Sequence, residues 1–394
     1  MKLAMVDVRP SPLGPARARI VGRFSYADRR PDEEIWFDVD EAHAGDLSRS
    51  GNPWLVALLP LAFTLQEPLE IALPVDPLLY EGSQALMQTW GVWYPAMGQP
   101  MPVTAEIKAA DVSTRTDRTA TLFSAGVDSF YTLLRHEVGG DAIHRERIDD
   151  LLTVWGFDIP LSAGDAFARL SDRIAEVAAR TGKGAVTLVT NLRESGWTTA
   201  NWGKIGQGPA LAAVSLALEQ RYSRVLFPAS ISYWSLASWG THPFTDPLLS
   251  TATTSFQNDG SLARRRTKIE ALASAPLAME HLHACWWGQD DTNCGACEKC
   301  LRTLTALEMI GARDRAVTFP RAAWSLEALA GLRLRQDIDR ANSVRLRADG
   351  VHYNRPDIAA AVDRSIRNYD RRVWLNRIAR AVGLRRETAA TRTP

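Results

Sequence analysis

Cysteine is scarce in this 394-residue chain: there are four, Cys285, Cys294, Cys297 and Cys300, and no thiol stands outside that window for a separate redox or nucleophilic role. Long apolar runs are missing too. No stretch approaches the roughly 18 uninterrupted apolar residues of a membrane helix, and no apolar segment follows Met1-Lys2, so neither a membrane span nor export is expected. A strong charge of either sign is lacking, since the formal net charge is +1, which removes a chain-wide nucleic-acid footprint. The pattern GxxxxGK[ST] occurs nowhere, excluding the phosphate loop of the common kinases and GTPases.

Against those absences stands the run Ser124-Ala125-Gly126-Val127-Asp128-Ser129, placed between an apolar segment, 119–123, and a helical one, 130–134. A strand, a tight turn of small and hydroxyl residues, and a helix start make a phosphate cradle. Backbone N–H groups and the positive end of the helix dipole converge there, and small side chains let an oxyanion approach the backbone. The alternative is a turn that merely caps a helix. Alanine at 125 carries no cost only if that position keeps a negative φ.

The cysteines read C-x8-C-x2-C-x2-C. Two-residue gaps turn successive thiolates toward one ion, and Gly295 suits the tight knuckle. Four sulfurs close a tetrahedral shell and leave no position for substrate, so the expected role is structural Zn2+. A four-iron cluster is the rival, although Leu301 follows Cys300 where such motifs usually place proline.

The loop resembles the SGGxDS signature of the PP-loop ATP pyrophosphatases, with Ala125 where the family has its first glycine. The stretch from Cys294 to Arg302, Cys-Gly-Ala-Cys-Glu-Lys-Cys-Leu-Arg, together with Cys285, is similar to the zinc-binding end of the 7-cyano-7-deazaguanine synthase family, and the two motifs come in that family's order. The resemblance runs from about residue 119 to 311, roughly half of the chain. It implies an adenine nucleotide alpha hydrolase-like sheet, ATP and Mg2+ as cofactors with Asp128 as the Mg-pyrophosphate partner, and a lysine before the cysteines, for which Lys268 is chosen.

Three regions are expected: an N-terminal α+β unit at 1–117, a PP-loop domain with the cysteine site at 118–315, and a basic helical extension at 316–394. In the first, 17–26 and 34–39 alternate as strands, 53–65 and 77–90 read as helices, and 69–73 and 103–107 as short strands. The polar run 113–118 marks the boundary. Beyond it, strands at 151–157, 185–190 and 224–227 alternate with helices at 163–181 and 209–220, which implies a doubly wound parallel sheet. Residues 331–394 hold 15 Arg and no Lys and sum to +8, leaving −7 elsewhere. That tail is a basic surface for a protein or tRNA partner, or simply a solvated helix, 358–373 being its most helical part.

Ligands of such sheets sit at the carboxyl ends of the strands. That rule selects Asp158 for the ribose or adenine, Asn191 and Arg193 for substrate, and Ser230 and Ser232 nearby. The segment 239–247 reads as an ordered substrate loop in which His242 and Asp246 are candidates for proton transfer. Arg264, Arg265, Arg266 and Lys268 open a helix ending near 273. Six of the 13 tryptophans, Trp197, Trp202, Trp234, Trp239, Trp286 and Trp287, fall where rings could sandwich a purine-like base, with core packing as the alternative.

The resemblance implies adenylation of a heterocyclic carboxylate such as 7-carboxy-7-deazaguanine, release of pyrophosphate, and coupling to ammonia. Catalysis is expected from Asp128, Ser129 and Lys268, nucleotide binding from Ser124, Ala125, Gly126, Val127, Asp128, Ser129 and Asp158. Three alternatives stay open: transfer of the acyl group to a peptide or protein amine, tRNA thiolation, and a non-catalytic nucleotide-binding module. A cytoplasmic protein is expected, with a homodimer as one reading of its oligomeric state.

Overall fold

Residues 119–122, Thr-Ala-Thr-Leu, are buried throughout, as are the first four residues of 150–155, the mark of strands covered on both faces. The computed structural model describes residues 1–28, 30–109, 117–285 and 291–381, so Trp286, Trp287, most of the run 113–118 and the end of the tail lie outside the described residues. The described residues fall into two compact units, the first built on Met1–Leu272 and the second on residues from Ala273 onward except Asp291.

The first unit is α/β. Its strands are β1 (Lys2–Pro10), β2 (Arg17–Ser25), β3 (Glu33–Asp40), β4 (Leu69–Val75), β5 (Val103–Ile107), β6 (Thr119–Leu122), β7 (Asp150–Trp155), β8 (Gly184–Thr190), β9 (Arg224–Pro228) and β10 (Ser255–Asp259). The helices are α1 (Asn52–Leu65), α2 (Pro77–Trp93), α3 (Val127–His136), α4 (Gly164–Thr181), α5 (Gln207–Leu216) and α6 (Arg265–Ala273), whose last residue falls in the second unit. One ten-stranded sheet runs β10-β9-β6-β7-β8-β3-β2-β1-β4-β5. The joints β8–β3, β3–β2 and β2–β1 are antiparallel, and the other six are parallel. From β6 the chain adds β7 and β8 on one side, then returns to place β9 and β10 on the other.

Residues 1–117 therefore extend the same sheet, and the expected break at 117 does not coincide with the division into compact units. The join is physical. Phe37, Asp38 and Val39 pair with Thr190, Val189 and Leu188, and one apolar core takes in Phe37, Trp54, Leu122, Val186 and Phe227. α1 is apolar all round, with 12 of its residues buried, so it behaves as a core helix rather than a surface one.

The second unit holds α7 (Pro276–His281), the cysteine loop, α8 (Glu298–Met309), α9 (Leu326–Ala330), α10 (Asp337–His352) and α11 (Pro356–Ala381). α10 and α11 are tied by Arg340–Asp370 and Arg347–Asp363 ion pairs, both at 2.7 Å. Part of the arginine of the basic tail is thereby neutralised within the helix pair.

Candidate active site and metal centre

The turn after β6 is braced from both sides. Phe123 N–H donates to Leu152 O and Phe123 O accepts from the Thr153 hydroxyl, so the end of β6 is tied to β7. Ser129 closes the turn by donating to Gly126 O at 3.1 Å and accepting from Ser124 N–H at 3.4 Å. Gly126 stands at the N-cap of α3 in extended conformation, and no side chain caps it. The first N–H groups of a helix lack intrahelical partners, so this end is a donor array of positive potential.

Ala125 has φ +57° and is buried. The cost-free conformation open to alanine is thus not the one adopted. A left-handed L-residue costs about 1–2 kcal/mol, and strain of this kind persists where the surroundings impose it.

Asp128 lies in the first turn of α3. Its Oδ1 accepts from Lys268 Nζ at 2.9 Å, and its Oδ2 stands 3.8 Å from Arg265 Nη1. Lys268, in α6, is buried and also donates to Ala229 O just past β9. The lysine thus joins the first turn of α3, the helix that follows β6, to the end of β9, and β6 and β9 are the neighbours between which the strand order reverses. Arg264 instead lies over the exposed Trp234 ring, 4.2 Å from its centre.

The remaining candidates divide by what holds them. Arg193, after β8, donates to Phe157 O at 2.8 Å, stacks 4.6 Å from the centre of Trp202, and stands 3.8 Å from Asp158. Burial lowers its pKa, against the opposing charge of Asp158. Asp158 is half exposed. Asn191 is engaged at both ends, accepting from Trp36 N–H and donating to Glu34 O, and so hooks the end of β8 onto β3. Ser232 and Ser230 follow β9, and Tyr233 N–H donates to Ser261 O after β10. Trp197 is fully buried core, Trp202 packs against Phe157 and Trp197, and Trp239 lies close over Gly203.

His242 and Asp246 serve the fold of their own loop. His242 Nδ1 accepts from Phe244 N–H, its ring packs edge-on against Trp93 of α2, and burial lowers its pKa. Asp246 is fully buried and accepts from His242 N–H at 3.0 Å and from Asn258 Nδ2 at 2.7 Å. Burial pushes its carboxyl up to about 7, outweighing those hydrogen bonds, from an ordinary 3.8. With the folded value above the unfolded one, Asp246 favours folding most below about pH 4, and that contribution is lost as the pH rises toward 7. Between pH 6 and 8 the protein should lose stability, on the order of 1 kcal/mol, relative to Asp246→Asn. Urea unfolding of both proteins at the two pH values checks this; parallel pH dependences would contradict it.

In the second unit, Cys285, Cys294, Cys297 and Cys300 bring their sulfurs within 4.8 Å of one another, with the Cys285–Cys297 and Cys294–Cys300 pairs both at 3.9 Å. Thiolates about 2.3 Å from a tetrahedral ion stand roughly 3.8 Å apart. The cluster can therefore hold a metal ion such as zinc. Gly295 takes φ +71°, and a Cβ there would come 2.3 Å from Ala323 Cβ, so the knuckle admits only glycine. Cys297 N–H points at Cys294 Sγ and Cys300 N–H at Cys297 Sγ, each at 3.4 Å, and Cys297 is itself the N-cap of α8. The hydrogen bond with Cys285 and burial push the Cys297 thiol up, and a cation among the sulfurs favours the thiolate form.

Asn293, which nothing in the cysteine spacing singles out, is the hub behind this loop. Its Oδ1 accepts from Ala284 and Cys285 N–H, and its Nδ2 donates to Leu282 O and Thr318 Oγ1. One buried amide thus fixes the segment of the first ligand beside the second.

Comparison of the chain with protein-family models, with curated proteins and with solved structures finds no match.

Proposed function

We propose that this chain is an ATP-dependent C–N ligase of the PP-loop type that adenylates a heterocyclic carboxylate such as 7-carboxy-7-deazaguanine and couples it to a nitrogen nucleophile. The observation that carries this reading is the junction of Asp128 with buried Lys268 at the donor-rich start of α3. The strand order fits the doubly wound sheet of that class, whose ligands lie at the switch point, here β6 and β9. In this reading the turn amides and Lys268 spread the charge of the departing diphosphate, and Asp128 supplies a carboxylate oxygen for Mg2+. Arg193 on its Trp202 shelf pairs with the acid of the substrate. An acyl adenylate then meets ammonia to give an amide, which a second adenylation dehydrates to a nitrile. Zinc in the cysteine cluster is structural, and with all four thiols so engaged none is left to carry sulfur as a tRNA thiolase requires.

The test is a reaction of the full chain with ATP, Mg2+, 7-carboxy-7-deazaguanine and ammonia, read by mass spectrometry and by pyrophosphate release. AMP, pyrophosphate and an amide or nitrile product are expected in step. ADP and phosphate, or no nucleotide turnover at all, would overturn the reading.

A further inference from the structure

The corner where β10 ends holds a buried carboxylate that the proposed chemistry does not use. Asp259 is 2% exposed, and its Oδ1 accepts from Arg135 Nη1 at 3.0 Å and from His136 Nε2 at 3.1 Å. Glu146 N–H donates to His136 Nδ1, so Nε2 carries the ring proton and the neutral imidazole serves as the donor. Arg135 and His136 form the last turn of α3, whose first turn carries Asp128.

The same corner reaches the other end of the helix. Ala229 N–H donates to Asp259 O, and Ala229 O accepts from Lys268, the partner of Asp128. Gly260, at φ +88°, brings the backbone against Tyr131 in the middle of α3, where a Cβ would come 3.1 Å from the ring. α3 is therefore gripped at its end by the Asp259 side chain, at its middle by Gly260, and at its start through Ala229 and Lys268.

We propose that Asp259 is the positioning residue of the phosphate-binding turn: by fixing the last turn of α3 it sets the direction of the N–H groups at 124–129 and the place of Asp128. This rests on the ligase reading for its effect on nucleotide, but not for its effect on the turn. A carboxylate suits this place because the Arg135 guanidinium it faces is itself mostly buried, its other acidic partner being the exposed Asp141, 3.5 Å from Nε. Asp259 touches neither substrate nor metal; it acts through α3.

The experiment compares Asp259→Asn, Arg135→Met and Arg135→Lys with the wild type by Mg-ATP titration and by amide hydrogen exchange. Asp259→Asn and Arg135→Met should each weaken ATP binding roughly tenfold, at temperatures where both are folded, and should speed exchange at 124–129. Arg135→Lys, keeping the cation, should recover most of the loss. Wild-type affinity together with unchanged exchange at 124–129, in a variant whose 131–136 amides have loosened, overturns the proposal. If the wild type binds no ATP, the ligase reading fails, and the exchange at 124–129 alone still decides whether Asp259 aims the turn.

Discussion

Asp128→Asn is expected to cut pyrophosphate release by more than about 100-fold while leaving the chain folded. The amide keeps an acceptor for Lys268 Nζ, now 2.9 Å from Oδ1, so the buried lysine retains a partner. What disappears is the negative charge that Mg2+ would need in the proposed reaction. Asp128→Ala should lose the reaction to the same degree and stability besides, because an ammonium whose side chain is 4% exposed is left with Ala229 O as its remaining acceptor of those described above. Removing one partner of a largely buried pair costs roughly 3 kcal/mol, the lower end of the usual range, since Asp128 is 27% exposed. Steady-state pyrophosphate assays with urea unfolding of both variants separate the two effects. If Asp128→Asn turned over at near the wild-type rate, the carboxylate would have no part in holding metal and diphosphate.

Removing the metal is expected to act on the second unit. About one zinc per chain should copurify, and a strong chelator at neutral pH should lower the thermal midpoint of that unit by more than about 10 °C. Structural zinc is worth about 10–16 kcal/mol in zinc-finger peptides, and here an ion would close a loop that also starts α8, through Cys297 at its N-cap. Cys294→Ser should reproduce the chelated state without chelator. Asn293→Ala should keep the ligands yet bind zinc about 10–100-fold more weakly, because the hydrogen bonds from the Ala284 and Cys285 N–H groups to Asn293 would be lost. Iron with visible absorption, or no bound metal in freshly purified protein, would refute the zinc assignment.

The strand-turn-helix at 119–134 and the cysteine window were legible because both depend on local spacing: small residues where a backbone must be approached, thiols with two residues between them. The strands that alternate or run wholly apolar were legible for the same reason. β1 was not read: its residues are mostly exposed, its burial pattern following no two-residue period. β10, Ser-Phe-Gln-Asn-Asp, escaped notice because only Phe256 is apolar, and Asp259 went with it. Ala125 showed the limit of residue identity. Alanine argues for negative φ, yet Gly126, Ser129 and the β6–β7 ties impose the left-handed turn. The continuity of the sheet past residue 117 rests on pairing between residues some 150 apart, such as Phe37 with Thr190, which no local pattern encodes. Asn191 was placed correctly at a strand end, but its amide is taken up by β3.

That antiparallel seam bears on how the molecule can be divided. A fragment beginning at residue 118 would present β8 as a bare edge, with three lost partners and the apolar residues Leu188 and Val189 along it. Edges of that kind recruit strands from other chains. The amino-terminal third therefore covers β8, and a fragment meant to keep that strand paired has to carry β3 with it.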